Sequence, residues 1–140
     1  MSLELQIKEL LEDIGEDFIP PLSDTLNIEE YSKKMSHKST IFSVYDEGKL
    51  VAFMSVYCND LENKIAYGTM LAVAKTHRVY GLGPNLIKTT VDFLKKKSFK
   101  VFRLEIYKSN PRVITLYKRL KFQIVQETEN SVFVELSLAN

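Results

Sequence analysis

Two stretches of this sequence carry residue types suited to holding a phosphate and moving a group. In Val73-Ala74-Lys75-Thr76-His77-Arg78-Val79-Tyr80-Gly81-Leu82-Gly83-Pro84-Asn85-Leu86, the pattern predicts a strand that ends, a loop with Gly81 and Gly83, and a helix starting at Pro84. Glycine takes positive φ without steric cost, so successive N–H groups of such a loop can turn into one concavity. A helix N-terminus behind that concavity suits it to a pyrophosphate. A plain turn with Pro84 at the first helical position explains the same residues, and glycine spacing alone is a weak motif. In the second stretch, Leu104 to Phe122, seven positions separate Asn110 from Tyr117. On a helix that is two turns, which places both on one face about 10.5 Å apart along the axis. An extended ligand lying there would meet an amide and then a phenol. Asn110 before Pro111 is equally an ordinary cap, and Tyr117 between Leu116 and Leu120 an ordinary core residue.

Other reactive residues have plainer explanations. Cys58, the single cysteine, is a conceivable acyl-accepting nucleophile, but no histidine stands at a local spacing, and a buried strand thiol accounts for it. His37 and His77 are too isolated for a metal site, and none is expected; His77 reads as solvated beside the loop. Asp60, Glu62 and Glu105 are candidate bases. The first two read as solvated turn charges and Glu105 as a strand carboxylate paired locally, so no base is named. A P-loop is excluded because Gly-x-x-x-x-Gly-Lys-Ser/Thr does not occur. A dinucleotide fingerprint is excluded because Leu86 stands where a third small residue is needed.

The elements that would position these residues can be read from periodicity. Leu3, Leu5, Ile7, Leu10, Leu11 and Ile14 define an amphipathic helix over 3–14, stopped by Gly15. Phe18 to Leu22, with Pro20-Pro21, breaks regular structure. Asn27 caps a helix over 28–36, with Glu29 and Glu30 near its positive end. Strands follow at Thr40–Tyr45, Lys49–Tyr57 and Lys64–Val73, joined by turns at Asp46-Glu47-Gly48 and Asn59 to Asn63. A helix over 84–97, a strand at Val101–Tyr107, a helix over 111–120 and a hairpin of Phe122–Glu127 with Ser131–Leu138 complete the order. The expected architecture is α/β (α+β), one mixed and mostly antiparallel sheet with helices on both faces.

Bulk properties narrow the function. The 140 residues suit one domain over 1–140. A net charge of +1, from 19 basic and 18 acidic residues, argues against a duplex nucleic-acid binder. The longest uncharged runs, Leu50–Asn59 and Ile65–Ala74, fall short of the roughly 20 residues of a membrane helix. The start, Met1-Ser2-Leu3-Glu4, shows no secretory signal, and a lone cysteine fits a reducing cytoplasm.

Taken together, the two stretches resemble the GNAT N-acetyltransferase superfamily. Arg78-Val79-Tyr80-Gly81-Leu82-Gly83 is similar to its Arg/Gln-x-x-Gly-x-Gly/Ala loop, and Leu71-Ala72-Val73 to its bulged fourth strand. Asn110 through Phe122 is similar to its second signature, an Asn opening a helix, then Leu-Tyr, then Phe. The resemblance spans about residues 40–138. It implies that backbone amides of Arg78, Val79, Tyr80, Gly81, Leu82 and Gly83 hold the pyrophosphate of acetyl-CoA. It further implies that the strand edge at Leu71 and Val73 pairs with the pantetheine arm, and that Asn110 hydrogen-bonds the arm. Tyr117 would protonate the departing thiolate as an amine attacks the acyl carbonyl. A phenol of pKa about 10 is protonated at neutral pH and can donate to a thiolate of about 8.5. The implied acceptor is a primary amine of a small molecule, an aminosugar among the options, contacting Ser23, Asp24, Tyr31 and Tyr57. A monomer or homodimer is expected. The alternative is a non-catalytic acyl-CoA binding or sensing module. Three departures stand out: Pro84 lacks an N–H, Lys121 replaces a usual Gly before Phe122, and the chain opens with a helix instead of a strand.

Overall fold

The computed structural model describes residues 1–139. Helix α1, Leu3–Ile14, begins where Ser2 accepts the Leu5 N–H and buries Ile7, Leu10, Leu11 and Ile14. Its span is the one the apolar spacing predicts. A 3₁₀ turn at Gly15–Asp17 and a one-turn helix α2, Leu22–Thr25, lie in the segment expected to be irregular. Helix α3, Ile28–Lys38, starts on the Asn27 side chain, which accepts the Glu30 N–H as expected of a cap, and runs two residues past the predicted end.

Strands β1 (Thr40–Asp46), β2 (Lys49–Asp60) and β3 (Ile65–Val73) form an antiparallel meander. Glu47 and Gly48 both take positive φ, 50° and 79°, the conformation of the two-residue turns that match strand twist. Strand β2 outruns its predicted end at Tyr57 because pairing resumes past an irregularity, with Asp60 opposite Ile65. Helix α4 spans Leu82–Lys96, not 84–97. Strand β4 is Val101–Tyr107, helix α5 Pro111–Arg119, and β5 (Gln123–Glu127) pairs with β6 (Ser131–Ser137).

The six strands form one sheet in the order β1-β2-β3-β4-β6-β5. Only β3 and β4 are parallel. Both faces are covered, as expected. Leu86, Ile87 and Leu94 of α4 and Tyr117 of α5 pack with Phe102, Leu104, Ile106, Phe122 and Val134 on one face. On the other face, α1 and Met35 of α3 pack with Val51, Phe53 and Ala72. No helix among the described residues is long and apolar enough to cross a membrane.

Candidate active site

The site begins where the sheet comes apart. Strands β3 and β4 pair only over Ile65–Gly68 against Val101–Leu104. Beyond that point β3 runs on to Val73 and β4 to Tyr107 without pairing each other. Gly68 marks the fork: a Cβ there would stand 2.9 Å from Phe102 Cε1 and 3.2 Å from Leu104 Cδ2. One residue later β3 is bulged, since Val56 faces Gly68 and Ser55 faces Met70, leaving Thr69 unmatched. An extra residue reverses the in–out alternation of a strand. Accordingly Ala66 packs on the α4 side, whereas Met70 and Ala72 pack under α1 and α3.

The bulge also sets which backbone groups face the opening. The Ala74 N–H donates to Val51 O of β2 at 2.7 Å. By the two-residue period, the polar backbone groups of Leu71 and Val73 point to the opposite edge, where β4 no longer pairs. An extended ligand arm could add to that edge as a strand does.

Past Val73 the chain makes a 3₁₀ turn over Lys75–Tyr80, and Gly81 takes φ 69° before α4 starts. Gly83 is therefore inside the helix, not in the loop, and Pro84 is its third residue. The N-terminal N–H groups of a helix lack intrahelical partners; with Pro84 having none to offer, the donors at this end are Gly81, Leu82 and Gly83. Arg78, Val79 and Tyr80 lie on the preceding turn, with Val79 86% and Tyr80 66% exposed. Arg78 is turned back: Nε donates to Val73 O at 3.3 Å and Nη2 to Asp17 at 3.1 Å.

Asn110 departs from the cap expectation. It precedes α5, but its side chain caps no N–H. Its Nδ2 donates to Ile19 O at 3.2 Å, an oxygen that also accepts from Ser109 Oγ at 2.6 Å. The segment after α1 thus straps across the site, tied through Asp17 to Arg78 and Lys75 on the β3 side and through Ile19 to the β4–α5 junction.

Tyr117 is 3% exposed, and burial pushes its hydroxyl well above the usual phenol pKa. Its place is set by the end of α5. Lys121 takes φ 78°; its N–H donates to Lys118 O and the Phe122 N–H to Tyr117 O, each at 3.0 Å. This is the paired 5→2 and 6→1 closure that favours glycine at the left-handed position, where this chain has lysine. The Tyr117 and Phe122 rings then meet edge-on, centroids 5.1 Å apart.

The remaining candidates sort themselves. Cys58 is half-buried, and burial pushes its thiol up, away from nucleophilic thiolate. His77, expected to be solvated, bridges Asp46 and Thr76 at 2.8 Å each; His37 lies 3.3 Å from Glu4. Among the described residues no three His, Cys, Asp or Glu side chains gather as a metal group would require. Asp60 accepts the Asn63 N–H within its own turn. Glu105 has no ion pair among the described residues, contrary to expectation; its neighbour Arg103 pairs instead with Glu135 at 2.6 Å. Because Leu104 and Ile106 face α4 and α5, Glu105 faces the other side of the sheet, beside the fork. Ser23 and Asp24 are exposed. Tyr31 is turned inward, its hydroxyl donating to Thr69 O at 2.8 Å, and Tyr57 Oη is buried without a partner. The strap residues escape sequence reasoning; the bulge expected of this strand from the resemblance is present, but at Thr69, just ahead of Leu71–Val73, and Gly68 inside a strand is a recognised signal of such a feature.

The helix start at the end of β3, the forked sheet and the tyrosine on the helix after β4 thus lie around one opening. The family model described as acetyltransferase (GNAT) family matches residues 7–122, and the chain belongs to that family. No curated protein sequence matches it. The fold is shared with solved structures of low identity. The ribosomal-protein-S18-alanine N-acetyltransferase from Escherichia coli is 19% identical, TM-score 0.78, covering 98% of this chain and 88% of its own. The PaiA N-acetyltransferase from Thermoplasma acidophilum, in complex with coenzyme A, is 14% identical, TM-score 0.72, covering 98% and 95%. An aminoglycoside 6'-N-acetyltransferase complexed with coenzyme A is 12% identical, TM-score 0.77, covering 98% and 91%.

Proposed function

We propose that this protein moves an acetyl group from acetyl-CoA to a primary amine of a small molecule by direct attack. The observation that carries the reading is the fork between β3 and β4, with the backbone of Leu71 and Val73 turned to an edge that β4 does not pair. The pyrophosphate would lie on the N–H groups of Gly81, Leu82 and Gly83, with Arg78, Val79 and Tyr80 lining the approach. The pantetheine arm would add to the β3 edge, and Asn110 would turn from Ile19 O to that arm.

Chemistry follows from what the two faces of the sheet offer. Glu105 faces the α1 side of the fork, and Tyr117 lies on the α5 side. Glu105 takes one proton from the ammonium, and the neutral amine nitrogen attacks the acyl carbon and gives its second proton to solvent as the adduct collapses. As the carbon–sulfur bond breaks, its electron pair leaves on sulfur, and Tyr117 supplies the proton that makes the free thiol. A phenol whose pKa is raised by burial is protonated at neutral pH, and burial also makes it a weaker acid toward a thiolate of pKa about 8.5. Solvent then restores the proton to Tyr117 and takes the one held by Glu105.

The test is release of free CoA thiol on offering amines of several classes, aminosugars included. Tyr117→Phe should lower turnover about 100-fold or more while acetyl-CoA affinity stays within about twofold. Unchanged turnover in that variant would remove Tyr117 from the reaction. Binding of acetyl-CoA with no transfer to any amine would favour a sensing module.

A further inference from the structure

The bulge at Thr69 is held from outside the strand. Tyr31, on α3, donates its hydroxyl proton to Thr69 O at 2.8 Å, and its oxygen lies 2.5 Å from Thr69 Oγ1. Since the Tyr31 proton is spent on the carbonyl, the Thr69 hydroxyl donates in return, and the two residues close a reciprocal pair. Thr69, between Gly68 and Met70, is skipped in the β2–β3 register, and the Tyr31 hydroxyl engages its carbonyl from α3. Fixing the Thr69 peptide plane fixes where the following strand points. Without the extra residue, Ala66, Met70 and Ala72 would share a face; with it, Leu71 and Val73 pack against the α4 cluster instead.

We infer that Tyr31 is a positioning residue of the acyl site: through Thr69 it fixes the bulge that aims the Leu71 and Val73 edge into the fork. The inference deepens the acetyl-transfer reading and rests on it. A backbone N–H of that edge, beside which the arm would lie, would also donate to the acetyl carbonyl, an interaction that strengthens as charge develops on oxygen. The pyrophosphate would be held at the start of α4, beyond the far end of β3, so the charged part of acetyl-CoA keeps its contacts when the edge is only re-aimed.

The experiment follows the carbonyl of bound acetyl-CoA, labelled with carbon-13 at the acetyl C1, by isotope-edited infrared spectroscopy; no acceptor is required. In the unmodified protein the stretch should move to lower wavenumber on binding. In Tyr31→Phe and Thr69→Val it should return toward the free value, with Kd from calorimetry within about twofold. Thr69→Ser, which keeps the hydroxyl, should retain the shift, and Tyr31→Phe/Thr69→Val should do no more than either single variant. Once an acceptor is known, kcat of Tyr31→Phe should fall about tenfold with KM for acetyl-CoA nearly unchanged. A carbonyl stretch in Tyr31→Phe equal to that of the unmodified protein overturns the inference, as does absence of any shift in an unmodified protein that binds. Absence of acetyl-CoA binding to the unmodified protein overturns the acetyl-transfer reading itself, and the inference with it.

Discussion

Three tyrosines in this protein have similar chemistry and different fates, and their partners make the difference. Tyr31 is hydrogen-bonded and pushed up to about 12, chiefly by burial, against which the Thr69 hydrogen bond works. Tyr117 is pushed up further by burial. Tyr57 is raised by burial too, and its buried hydroxyl finds no partner. A buried polar atom without a hydrogen bond costs about 1–3 kcal/mol. Tyr57→Phe should therefore leave the melting temperature unchanged or raise it, and a clear fall would reveal a partner for that hydroxyl. The raised values also have a pH consequence. An unfolded tyrosine gives up its proton near pH 10, whereas folded Tyr31 and Tyr117 hold theirs, so unfolding releases protons above that pH. The stability from keeping these phenols neutral is complete below about pH 10 and is lost as pH climbs toward the folded pKa. Melting temperatures measured from pH 8 to 11.5 should fall on the alkaline side, less steeply in Tyr31→Phe.

Among the elements, α5 shows best how local chemistry places a reactive side chain. Its C-terminal closure puts Lys121 at φ 78° so that Phe122 can fold back on Tyr117. A left-handed non-glycine residue costs about 1–2 kcal/mol, part of which glycine returns as chain entropy. Lys121→Gly should thus stabilise by up to about 1 kcal/mol, a melting shift of a few degrees, without moving Tyr117. A lower melting temperature would mean that the lysine side chain does something the backbone does not show. The same element marks how far local pattern carries. The ends of α1, the span of β4 and the Asn27 cap follow from apolar period and capping chemistry, which act within a few residues. The start of α4 at Leu82 does not, because Gly81 in a left-handed conformation lets the helix begin before its proline. A bulge in β3 is expected from the resemblance, but its place at Thr69 is not in the local pattern, since the hydroxyl that bonds Thr69 O lies on α3, 38 positions away. Asn110 reads as a cap and serves as a strap anchor for the same cause, its partner lying 91 positions earlier.

At the level of the whole molecule, the two apolar cores sit on opposite faces of the sheet, and the strap joins the parts between which the fork opens. Its electrostatic tie is the point where ligand and protein would compete. Asp17 engages Arg78 at 3.1 Å and Lys75 at 3.8 Å, two cations beside the helix start assigned to a pyrophosphate. These side chains are part-exposed, so the pairs add little to stability. Their effect on an incoming anion is larger in consequence, because Asp17 both occupies the cations and repels phosphate. Asp17→Asn should accordingly leave the melting temperature within a few degrees while lowering the CoA dissociation constant several-fold. The gain should be greatest at low ionic strength and shrink as salt screens the site, since exposed charges lose most of their influence beyond about 10 Å at 0.1 M. Calorimetry with CoA at 20 and 300 mM salt reads both quantities. An Asp17→Asn protein that binds CoA no better than the original at low salt would show that Arg78 and Lys75 do not face the phosphate, and the anion site would then rest on the backbone of Gly81, Leu82 and Gly83 alone.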